Sequence, residues 1–188
     1  MKSKKLRQYI SFAFFGALMF TSKLLLEFLP NVHLLGMFTV LLTVVYRVKA
    51  LIPIYIYVML NGVYAGFNAW WVPYLYIWTI LWGLAMLIPK RTPKAVRAFV
   101  YPILCSLHGF AFGILYAPAE AIFFGLSFEE MLVWIAAGAT FDIIHGISNF
   151  VAGFLVLPLS ELLFRLEGNS SSKKENLVWR KNDKGNTF

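Results

Sequence analysis

Charge is scarce in this chain and cysteine is almost absent. Only 14% of the 188 residues are charged, against roughly a quarter in ordinary soluble domains. Hydrophobic residues make up 60% and aromatics 18%. A core of this size cannot hide such an excess, because small domains leave much of their surface in water. The shortage of charge therefore argues against a soluble globular protein. It also excludes a disordered chain, which needs low hydrophobicity and dense charge. The single cysteine, Cys105, excludes an internal disulfide framework and a multi-cysteine metal site. There is no G-x-S-x-G, no H-E-x-x-H and no phosphate-cradling glycine loop. The sequence thus predicts no enzyme, no catalytic residue, and no cofactor or nucleotide site of its own. A metal site is not expected either: His33 and His108 lack motif spacing, and Asp142 with His145 is a weak signal.

What is abundant is apolar length. A helical span needs about 20 mostly apolar residues. Six are read, at about 8–28, 33–46, 50–67, 72–88, 94–116 and 140–166. The predicted fold is an all-α membrane protein of six transmembrane helices with both termini cytoplasmic. Residues 1–7 form a basic cytoplasmic start, 8–166 the membrane domain, and 167–188 a polar cytoplasmic tail expected to be disordered. Residues 117–138 are read as an extracellular connecting segment with one or two interfacial helices.

Net charge is +8, and its placement matters more than its size. The N-terminus, the second-to-third loop, the fourth-to-fifth loop and the tail hold every Lys and Arg except Lys23. Glu120, Glu129 and Glu130 fall on the other side. This alternation satisfies the positive-inside rule for six spans, and a seventh would carry the basic tail outside. No basic face interleaved with stacking aromatics is present, so no nucleic-acid partner is expected. The first stretch is too long for a signal-peptide core and lacks a cleavage site.

Several polar groups sit within these spans, where each is costly. Lys23 and Glu27 lie four apart, either as an ion pair near the outer interface or facing a polar cavity. Asp142, His145 and Asn149, at i, i+3 and i+7, form one stripe within about 60° on the last helix. That stripe suits either an inter-helix hydrogen-bond cluster or the wall of an outer cavity. Asn61, Tyr64, Asn68, Trp71, Tyr74 and Trp78 flank the third and fourth spans, as an aromatic belt or as the lining of a cavity for a bulky ligand. Ala13 and Ala17 on the first helix make a small-residue face for close helix packing, within the chain or with a partner.

The first-helix alanines and the last-helix run Phe141-Asp142-Ile143-Ile144-His145-Gly146-Ile147-Ser148-Asn149-Phe150 resemble the substrate-binding S-component of energy-coupling factor vitamin transporters, over about residues 8–166. The resemblance implies a multi-pass protein of a bacterial plasma membrane. It would bind a vitamin-like small molecule from outside and dock through Ala13 and Ala17 onto a transmembrane coupling protein. Two cytoplasmic ATPases would supply the energy from ATP. Ligand-binding positions would be Asp142, His145, Asn149, Lys23, His33, Asn61, Tyr64, Asn68, Trp71, Tyr74 and Trp78. Only Lys23 offers a cation in the outer half, so a mostly neutral ligand is expected, cobalamin or a pyridoxine-type or hydroxymethylpyrimidine-type ring; pantothenate and folate, whose carboxylates want cationic partners, are the further alternatives. A stand-alone secondary transporter, a membrane enzyme and a structural assembly subunit are the competing readings.

Overall fold

The computed structural model describes residues 2–167, all of its regular structure helical. Except for Glu167, the expected polar tail lies outside the described residues. The helices are α1 Lys2–Leu25, α2 Leu35–Tyr46, α3 Leu51–Ala65, α4 Tyr74–Met86, α5 Lys94–Phe110, α6 Phe112–Phe124, α7 Phe128–Gly153 and α8 Val156–Glu167. Short 3-10 turns at Arg47–Ala50 and Ala69–Trp71 join α2 to α3 and precede α4.

Side-chain contacts fix the direction of each leg. Lys49 donates to Gln8, and Lys23 donates to Asn61, so α1 and α3 run parallel. Tyr46, at the end of α2, packs edge-on against Phe12 in the first half of α1, so α2 runs back. Tyr55 of α3 donates to the Leu75 carbonyl, and Trp82 Nε1 to that of Arg47, so α4 runs back again. The close partners of α7 along α5 and α6 fall in reverse order. Asp142 meets Gly113, Gly146 meets Gly109, and Gly153 meets Pro102. Lys94 and Glu161 close the same end of α5 and α8 at 2.9 Å. Successive legs therefore alternate in direction, with α5–α6 and α7–α8 each making one long leg.

One sharp turn has an evident support. Arg47 takes a left-handed φ of 55° between α2 and α3. Its guanidinium donates to the Met86 carbonyl at 2.7 Å, and its own carbonyl accepts from Trp82. These two bonds hold a backbone that a non-glycine residue rarely adopts.

The α2 helix sits at the centre. It is apolar around its whole circumference, and nearly every residue from Leu35 to Tyr46 is buried, as expected of a helix with protein on all sides. Its 12 residues span only roughly 18 Å. The α7 helix is the opposite case. Leu132, Val133, Phe141, Ile143, Ile147 and Val151 are all exposed on it. Three stretches are long and apolar enough to cross a bilayer: Leu35–Ala65, Lys94–Phe124 and Phe128–Gly153. The first reaches that length only through the reversal at Arg47. A surface this apolar is that of a membrane protein.

The 117–138 segment differs from its expected form. It is helical almost throughout, with only a short turn in place of a loop: α6 runs to Phe124, Gly125 caps it in the left-handed region, and α7 begins at Phe128. Ser127 and Glu130 form a reciprocal capping box at the start of α7. Glu129 and Glu130, expected to mark a loop, are the acidic first turn that the helix dipole favours. The leg expected at 140–166 begins twelve residues earlier, at Phe128, and is broken at Phe154–Leu155. Pro158 lacks the N–H that would bond the Phe154 carbonyl. The fifth leg likewise continues past 116, through a break at Ala111. At the other end, α1 begins at Lys2, inside the expected basic segment 1–7, because Lys and Arg are good helix formers.

Candidate functional site

Two small-residue contacts bring α5, α6 and α7 together. Gly109 and Gly113 form a G-x-x-x-G pair across the Ala111 break. A Cβ added at Gly109 would lie 2.8 Å from the Gly146 Cα. Backbones this close exclude any side chain between them. The same approach sets both His108 of α5 and His145 of α7 beside Phe112, the first residue after the break.

Around Phe112 the chain gathers all three of its histidines from three separate legs. His33, in the segment before α2, packs against His145 with ring centroids 4.4 Å apart. Phe112 lies 4.8 Å from His145 and 6.3 Å from His108. Trp78 of α4 is the hub, within about 6 Å of His33, Tyr57, Tyr74, His108 and Phe112. The segment carrying His33 is tied down at Asn31, whose backbone sits at φ 56° and whose carbonyl accepts from Ser148 of α7. Asparagine tolerates that conformation better than most residues.

This centre is closed and incompletely hydrogen-bonded. His145, Trp78 and Asn149 are each 1% exposed or less. His108 Nε2 lies 3.1 Å from the Ile77 carbonyl, so it carries the proton, and Nδ1 is left as an acceptor. That Nδ1 has no hydrogen-bond partner among the described residues. Neither do His33 Nδ1, His145 Nε2, Trp78 Nε1, the Tyr57 hydroxyl or either amide atom of Asn149. Each such group, buried unpaired, costs about 1–3 kcal/mol. A cluster of them is unusual in a core that serves packing alone.

Directly outside Phe112 lies an open cavity of about 510 Å³, between α6, α7 and Asn31. Tyr116 and Trp134 stack on each other in its wall, with ring centroids 6.0 Å apart and an interplanar angle of 11°. Phe112, Phe141, Ala137 and Gly138 complete most of the wall, and Asp142 supplies its charge. Both Asp142 oxygens accept the Gly113 N–H, at 3.1 and 3.2 Å. That N–H is one of those freed by the helix break. Tyr116 donates to the Trp70 carbonyl at 2.6 Å, which fixes the wall against the head of α4.

The expected site residues divide into three groups. His33, His145, Asn149, Tyr74 and Trp78 converge on or beside the closed centre, and Asp142 lies one turn out, in the cavity. Asp142 and His145 are therefore separate in role, since Asp142 bonds Gly113. Lys23 does not pair with Glu27. It donates to Asn61 Oδ1 at 3.0 Å, while Glu27 is exposed. Tyr64 is exposed and packs on Phe20. Asn68 caps the turn before α4, and Trp71 Nε1 bonds the Val58 carbonyl. These last three hold the scaffold and do not line the cavity. Ala13 and Ala17 do not pack inside the chain: both are exposed, while Gly16 is the α1 residue buried against Pro53 and Ile56 of α3.

Sequence reading missed His108, Phe112, Tyr116, Trp134 and Tyr57. The G-x-x-x-G at Gly109 and Gly113 was the available signal, since it marks where α5–α6 meets another helix. Among the described residues no cluster of His, Cys, Asp and Glu has the geometry of a metal site. No protein-family model, no curated protein and no solved structure matches this chain.

Proposed function

We propose that the chain is a six-pass bacterial plasma-membrane protein with cytoplasmic termini, the substrate-binding component of an energy-coupling factor importer for a vitamin or related micronutrient. One observation carries the reading: a cavity open at one end of the bundle, backed through Phe112 by buried polar atoms that lack partners. A ligand offering donors and acceptors that moved Phe112 aside would satisfy such atoms, and a purely structural bundle has no use for them.

Two further features support it. The contacts of Arg47 with Met86, Lys49 with Gln8 and Lys94 with Glu161 gather the basic residues at one end of the bundle. The cavity lies at the other end, so the positive-inside rule puts it outside the cell. The exposed Ala13 and Ala17 offer α1 to a membrane partner such as a transmembrane coupling protein with two ATPases. The cavity volume suits a molecule of one or two rings. A corrinoid, with its macrocycle and nucleotide loop, is larger, so a small ring vitamin or precursor is favoured over cobalamin.

The test is co-expression with a coupling protein and its ATPases. The wild-type chain should co-purify with them and support ATP-dependent uptake of one member of a radiolabelled vitamin panel. Ala17→Trp should abolish co-purification and leave ligand binding by the isolated chain intact, because an indole there blocks close helix approach. Uptake that survives ATP depletion and collapses with the ion gradient would refute the proposal in favour of a stand-alone transporter.

A further inference from the structure

We infer that the cavity between α6 and α7 takes a ring compound bearing a positive charge, with its cationic centre held at Asp142 beside the stacked Tyr116 and Trp134 rings. This deepens the substrate-binding reading and rests on it. Four aromatic side chains, Phe112, Tyr116, Trp134 and Phe141, line the cavity. Aromatic faces carry negative quadrupole density and attract cations, most strongly where water is excluded. The charged lining group is a carboxylate. Among the described residues no Lys or Arg pairs with it, and its only hydrogen-bond donor is the Gly113 N–H. Lys23, the cation of the outer half, is engaged by Asn61 on α3. Glu120 stands within electrostatic reach of Tyr116 and adds a second negative charge on the same side.

The lining therefore offers a carboxylate and π faces and no cationic side chain. A carboxylate or phosphate ligand would meet repulsion there, and a neutral ring would leave the Asp142 charge without a counter-ion. This reverses the sequence expectation of a mostly neutral ligand. Asp142 has one evident structural task as well, capping the N–H freed at the helix break. The two tasks separate cleanly in Asp142→Asn, because an amide oxygen still accepts from Gly113 while the charge is gone.

The experiment uses the purified full chain in nonionic maltoside micelles and three probes with the same ring and different charge: benzyltrimethylammonium, benzyl alcohol and benzoate. Calorimetry should find the ammonium bound about tenfold tighter than the alcohol, with benzoate weakest. Asp142→Asn should bring the ammonium and the alcohol level without lowering the thermal midpoint, and Trp134→Leu should weaken the ammonium. Equal binding of ammonium and alcohol by the wild type, a preference for benzoate, or no binding of any probe would overturn the inference. Phosphatidylcholine added to the micelles should leave the probe bound, and displacement by it would mean that the site takes an acyclic lipid headgroup and would overturn the inference. Failure to co-purify with a coupling protein would leave this order of affinities untouched, so the two readings fail separately.

Discussion

The closed centre around Trp78 and the open cavity beside it share a wall and differ in nearly everything else. The centre joins five legs, is shut off from solvent, and holds polar atoms without partners. The cavity is built mainly by one helical hairpin, is open, and has its single charge hydrogen-bonded to backbone. Phe112 belongs to both. The difference teaches that similar aromatic residues act in opposite ways according to how many legs hold them. Rings clamped by five legs specify the fold, and rings carried on one exposed hairpin are free to receive a ligand.

Removing the hub should have the largest effect. Trp78→Ala deletes the ring on which His33, Tyr57, Tyr74, His108 and Phe112 converge and should cost about 3–5 kcal/mol of stability. Thermal unfolding in detergent measures this, and a loss below 1 kcal/mol would mean that the centre does not organise the bundle. Next comes the seam that both regions use. Gly109→Ala puts a methyl against the Gly146 backbone and should cost about 1–3 kcal/mol, with ligand binding lost because His108, Phe112 and His145 separate. The smallest effect on stability is the most diagnostic. Asn149→Leu removes both unpartnered amide atoms while keeping the branch point and the number of heavy atoms, and should leave stability unchanged or raise it by about 1 kcal/mol. Its ligand binding should nonetheless fall. A destabilised Asn149→Leu that still binds would make that side chain structural.

The sequence carried the helical class, the short second leg, the basic end and the inward stripe at Asp142, His145 and Asn149, because composition and periodicity act locally. It did not carry the cavity. Glu129 and Glu130 look like loop residues until Ser127 is recognised as a cap, and Tyr116 and Trp134, eighteen positions apart, meet only once that hairpin is closed. His33, His108 and His145 share no spacing motif, since three different legs bring them together. Lys23 found Asn61 on another helix in place of Glu27 one turn away, a choice that no spacing rule encodes.

The account stands on a cavity that opens outward from a membrane-embedded bundle. Gly138 lines that cavity, and a Cβ placed there meets nothing within 4 Å, so Gly138→Cys should fold normally. The native Cys105 is fully buried and gives little background. Intact cells expressing Gly138→Cys are treated with a membrane-impermeant maleimide, before and after permeabilisation. The account predicts labelling of intact cells, reduced by the bound ligand. Labelling that requires permeabilisation would put the cavity on the cytoplasmic side and contradict it.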